Sequence, residues 1–181
     1  MRRMLLCGGL TAALALLGTA AYAEEFAAEL SGYQELGGLN AQTGAIFTPG
    51  TGELKLDLDT KTQSIVFELT YSGLTSAVLQ SHIHLGKARD SGGIIVFFCT
   101  NKMNGPMGTK TCPTPSGTVS GTITAASVVA DPGQNVNAGD FSAVLGALES
   151  NTAYVNVHTA NFTGGEIRGQ IRKVDKDHKG D

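Results

Sequence analysis

The chain has 181 residues, 41% of them apolar, with 13 lysines and arginines against 16 acidic residues, a net charge of -3 at pH 7. That length is enough for one domain with a proper core, and the acidic balance excludes the strongly basic surface that a nucleic-acid or anionic-membrane binder needs. With 24 glycines and no tryptophan, the composition suits short strands joined by tight turns.

Residues 1–23 read as a secretory signal peptide. Arg2 and Arg3 supply the basic start, Leu5 to Leu17 the apolar run, and Ala21-Tyr22-Ala23 a small-x-small cleavage site. The apolar run is shorter than the roughly 20 residues a bilayer demands, so no membrane span is expected once the signal is cleaved. The mature part keeps 11 basic and 16 acidic residues and is expected to be periplasmic or secreted. In an oxidising compartment its two cysteines, Cys99 and Cys112, read as one disulfide worth about 3 kcal/mol, with a free or metal-bound thiol as the alternative.

From Phe26 to Leu30 the residues alternate as a strand, a glycine-rich link follows, and Ala45 to Thr48 reads as another strand ending at Pro49-Gly50. The segment Gly52 to Leu58 sets Leu54, Leu56 and Leu58 against Glu53, Lys55 and Asp57, which predicts a core face and a wet face. Ser64 to Tyr71 returns as its hairpin partner. Leu79 to Leu85 carries the pair His82 and His84, and Ile94 to Phe98 is apolar without alternation, as in a strand covered on both faces. Residues 100–116 form a loop tied by the cysteines, and residues 117–124 a strand with Val119 and Ile123 inward. Asp140 is placed to cap a short helix from Phe141 to Leu148. Tyr154 to His158 is a strand, and Thr163 to Ile171 a turn and a last strand. Residues 24–172 are thus one domain, and the charged stretch 173–181 is expected to be a disordered tail. About eight strands and one short helix predict an all-β fold, an antiparallel Greek-key β-sandwich.

The run Ser81-His-Ile-His-Leu-Gly, then Gly92-Gly-Ile-Ile-Val, Tyr154-Val-Asn-Val-His-Thr-Ala and Gly164-Gly-Glu-Ile-Arg-Gly-Gln-Ile resembles the CHRD domain family, named after the repeats in chordin. The resemblance runs from about Ala27 to Ile171. It implies a binding module with an envelope or extracellular partner rather than an enzyme. The cysteine loop at 99–112 departs from the family pattern.

Two histidines separated by one residue on a strand share a face, with their backbones about 6 to 7 Å apart. A third from another strand, His158, would complete a three-histidine site suited to copper or zinc with an open position. The arrangement is similar to the copper half of copper,zinc superoxide dismutase, which suggests a copper-only oxidoreductase as the competing function. No further histidine is placed to bridge to zinc, since His178 lies in the tail. In a third reading the domain is metal-free and the histidines are packed and hydrogen-bonded, with Tyr154 and Asn156 on the face of His158. Glu166 and Arg168, two apart, are expected either beside the site, with Asn156 as support, or in cross-strand ion pairs. Met103 and Met107 read as surface-loop residues or soft Cu(I) ligands. Asn161-Phe-Thr163 matches a glycosylation acceptor. No nucleophile elbow, P-loop or dinucleotide fingerprint occurs.

Overall fold

The computed structural model describes residues 24–36 and 44–175. The signal segment, most of the glycine-rich link and residues 176–181 of the expected tail lie outside them. Nine strands form one antiparallel sheet: β1 (Glu24–Ser31), β2 (Thr51–Asp59), β3 (Ser64–Ser72), β4 (Val78–Leu85), β5 (Gly93–Thr100), β6 (Gly117–Ile123), β7 (Ala153–Thr159), β8 (Ile167–Gln170) and β9 (Arg172–Lys173). Their spatial order is β5-β4-β7-β8-β1-β2-β3-β6, with β9 also on β1. The sheet bends at the narrow β8–β1 joint, where Ser31 pairs with Arg168. Two halves, β5-β4-β7-β8 and β1-β2-β3-β6, therefore face each other as a sandwich. The chain crosses between them after β3, after β5, after β6 and, into β9, after β8, as a Greek key does.

Strict alternation explains the β2–β3 hairpin. Leu54, Leu56 and Leu58 stand opposite Leu69, Phe67 and Ile65, and all six are buried. Each such side chain contributes roughly 1.5–3 kcal/mol by leaving water. The turn is closed by the Asp59 carboxylate, which accepts from the backbone N–H groups of Lys61 and Thr62. From the other half, Ile83, Val155, Val157 and Ile167 complete the core. Phe67 on β3 meets Phe98 on β5 with ring centroids 4.8 Å apart.

Among the described residues the one α-helix is α1 (Phe141–Glu149), capped by Asp140, whose side chain accepts from the Ala143 N–H. It buries Phe141, Val144, Ala147 and Leu148. Cys99 and Cys112 form the expected disulfide.

Two expectations need correction. Ala45 to Thr48 belongs to no strand. Its backbone turns to the 3-10 turn Gly32–Gln34, where the Ile46 N–H donates to the Gly32 carbonyl at 2.7 Å, and Thr48 turns its hydroxyl to Glu166. At the other end, Arg172 and Lys173 pair with Ala27 and Phe26, and the Val174 N–H donates to Glu25 O. The sheet thus extends past the expected boundary at residue 172.

Candidate metal centre

The candidate residues lie on the outer face of the β4-β7-β8 half, away from the hydrophobic core. Register places them there. His82 stands opposite Asn156, His84 opposite Tyr154, and Gln80 opposite His158, while Asn156 stands opposite Arg168 on β8. Residues directly opposite in an antiparallel pair share a face, so three histidines, a tyrosine, an asparagine and an arginine converge. The intervening Ile83, Val155 and Val157 point into the core.

This outer face is covered rather than wet. His82 is fully buried, and His84 and His158 are each 7% exposed. The loop between β4 and β5 supplies one part of the cover: the Gly92 carbonyl accepts from His84 Nδ1 at 2.9 Å, and the carbonyls of Lys87 and Asp90 accept from the Arg168 guanidinium. The turn between β7 and β8 supplies another, through the Thr163 carbonyl, which accepts from His158 Nδ1 at 2.9 Å. Tyr154 is sandwiched, with the His84 ring stacked on it at 4.6 Å and the Arg168 guanidinium 3.4 Å from its centroid. Phe97 of β5 closes the far side, edge-on to His82 at 4.4 Å.

Ligand nitrogens of His82, His84 and His158 lie within 4.8 Å of one another. Imidazoles that share one tetrahedral ion stand roughly 3.3 Å apart, so the rings would have to close by at most about 1.5 Å. The hydrogen bonds suit that role. By donating Nδ1–H to backbone carbonyls, His84 and His158 are fixed in the tautomer whose Nε2 lone pair faces the centre, where each Nε2 lies 3.0 Å from Asn156 Oδ1, and the carbonyl bond is the support that metal-ligating histidines ordinarily have. His82 is different: neither of its ring nitrogens has a hydrogen-bond partner, and both are buried. An orphaned imidazole of that kind costs about 1–3 kcal/mol, which is hard to reconcile with a purely packed histidine.

Electrostatics point the same way. Burial, reinforced by the two neighbouring histidines, pushes His82 down to about 2. Burial likewise lowers His84 to about 4, opposed by its bond to Gly92, and lowers His158 below the usual imidazole range. All three rings are neutral near pH 7, the form that binds a metal.

Glu166 and Arg168 do not act as a pair. The Glu166 carboxylate accepts from Thr48 and Thr159 hydroxyls and from both the hydroxyl and N–H of Thr75. Arg168 instead lies against Tyr154, with Asn156 between it and His82 in the register. Met103 and Met107 are fully exposed. Sequence reasoning missed the carbonyls of Gly92 and Thr163 and the placement of Glu35 by Gly165, where a side chain on the glycine would collide with the Glu35 carboxylate. Nothing in residue type announces them.

The model of the CHRD domain family matches residues 26–171. No curated protein and no solved structure matches the chain.

Proposed function

The chain belongs to the CHRD domain family, and from that premise we propose that it is an exported binding module that holds a single copper or zinc ion through His82, His84 and His158. The observation that carries the metal reading is His82, buried with both ring nitrogens unpartnered between two histidines whose Nδ1 atoms are tied back to carbonyls. The three rings bind and orient the ion, the Gly92 and Thr163 carbonyls hold two of them in register, and Phe97 and Tyr154 shut out water. When bound, the ion supplies a fixed positive centre and a cross-link between β4 and β7.

Calorimetry on untagged protein at pH 7.5 tests this: uptake of one equivalent of Cu(II) or Zn(II) is expected, and no uptake by folded protein ends the reading. Export is checked separately by mass. The envelope or medium should yield a chain starting at Glu24 with Cys99 and Cys112 oxidised. A copper-only dismutase is the competing reading, and superoxide decay no faster than that of a His82→Ala variant removes it.

A further inference from the structure

The histidine cluster contains a fourth donor. Oδ1 of Asn156, a residue 3% exposed at the centre of β7, lies 3.0 Å from Nε2 of His84 and 3.0 Å from Nε2 of His158. With the amide oxygen turned inward, these contacts are not ordinary hydrogen bonds. A carbonyl oxygen only accepts, so the Gly92 and Thr163 carbonyls require the ring proton of each histidine to sit on Nδ1. Nε2 of a neutral ring then carries a lone pair and no proton, and an amide oxygen likewise offers only lone pairs. Three acceptors meet with no hydrogen among them. A shared cation resolves that conflict, and 3.0 Å is close to the roughly 3.3 Å expected between two donors on one tetrahedral ion.

We infer that Asn156 is the fourth protein ligand of this ion, bound through Oδ1, so that the site is a closed set of three nitrogens and one oxygen. The inference rests on the metal reading above and changes its meaning. Closed four-ligand sites are structural, whereas catalytic ones keep a position open for water or substrate. Asn156 in that position makes the centre a cross-link and a binding site rather than a place for superoxide chemistry.

The other end of the amide faces the turn at Gly165. Gly165 has φ +132 and no side chain; a Cβ there would lie 3.1 Å from Asn156 Nδ2 and would collide with Glu35 Oε2. The glycine therefore leaves room for the outer end of the amide on the side where the Glu35 carboxylate lies. The competing arrangement reverses the amide, so that its NH2 donates to both Nε2 atoms and no ion is needed.

Loading the untagged chain with Co(II), a spectroscopic stand-in for zinc, separates these. The visible spectrum of the wild type should not respond to azide. The Asn156→Ala variant should bind at least roughly tenfold more weakly, and its spectrum should shift with azide as a vacated position fills. Asn156→Asp keeps an oxygen of the same reach and should bind at least as tightly as wild type, which preserves the test if the alanine variant does not fold. Azide acting equally on wild type and Asn156→Ala overturns the inference. So does weaker binding by Asn156→Asp, or an Asn156 NH2 that NMR shows bonded to the imidazoles both before and after Zn(II) is added. If the wild type takes up neither Co(II), Cu(II) nor Zn(II), the metal reading falls as well. If it binds and Asn156→Ala binds as tightly, only the fourth ligand falls.

Discussion

At the scale of single residues, the three histidines differ in what they contribute to folding. His84 and His158 each make a hydrogen bond to a backbone carbonyl, and His84 also stacks on Tyr154. His82 makes no hydrogen bond and is buried. Replacing His82 by leucine, similar in volume, removes two unsatisfied nitrogens and should leave the ion-free protein as stable or up to about 1–2 kcal/mol more stable. His84→Leu orphans the arrangement around Gly92 and should cost about 1–3 kcal/mol. Urea unfolding in chelator measures both, and a His82→Leu loss as large as that of His84→Leu would mean His82 is held by bonds the geometry does not contain. Protons act on the same rings. An unfolded histidine titrates near 6.5, while folded His84 does so at about 4 and folded His82 at about 2. Below pH 6.5 the unfolded chain therefore binds protons that the native one refuses, and stability falls as pH drops. The slope approaches 1.4 kcal/mol per pH unit for each such histidine, ending for His84 near its folded value. Urea midpoints at pH 7, 6 and 5 should show the decline, shallower in His82→Leu. Ion affinity behaves differently from the expectation for free imidazole, which loses a metal as pH passes about 6.5. In the folded protein burial lowers all three rings, so proton competition for the ion should set in below pH 6.5 and reach His84 only toward pH 4, as calorimetry across that range would reveal for as long as the fold survives.

At the scale of elements, Glu166 binds together segments that no strand ladder connects. It joins Thr48 ahead of β2, Thr75 between β3 and β4, and Thr159 at the end of β7, all beside the joint where β8 meets β1. Glu166→Gln replaces one accepting oxygen with an NH2 that must face a hydroxyl or N–H already committed as a donor. The cost should be about 2–3 kcal/mol, seen as a lower urea midpoint, and an unchanged midpoint would contradict the geometry. This residue also shows what was legible beforehand. Its spacing from Arg168 was plain in the sequence, but its threonine partners are as far as 118 positions away and could not be read. The H-x-H pair and Val157-His158 were legible because strand alternation alone decides which way such side chains point. The helix after Asp140 was legible because cap and periodicity agreed. Ala45 to Thr48 misled because its short apolar alternation resembles a strand, and only the fold reveals that its hydrogen bonds go to a turn and a carboxylate.

At the scale of the whole molecule, the histidine cluster lies outside the hydrophobic core, on the strands at the centre of one half of the sandwich. β4 is flanked by β5 and β7, and β7 by β8, so His82 and His84 on one side and Asn156 and His158 on the other span the central pair of that half. The β8–β1 joint through which the halves are continuous is narrow. An ion bridging β4 and β7 would therefore hold a half that unfolding must separate, and it would bind the native chain in preference to the unfolded one. By mass action, free Zn(II) at 100 times its dissociation constant should add about 2.7 kcal/mol to stability. The gain should appear as a higher urea midpoint, be reversed by chelator, and vanish in His158→Ala even where that variant folds. Binding seen by calorimetry with no gain in stability would place the ion elsewhere, for instance on His178 beyond the described residues, and would separate metal affinity from the architecture that brings these three histidines together.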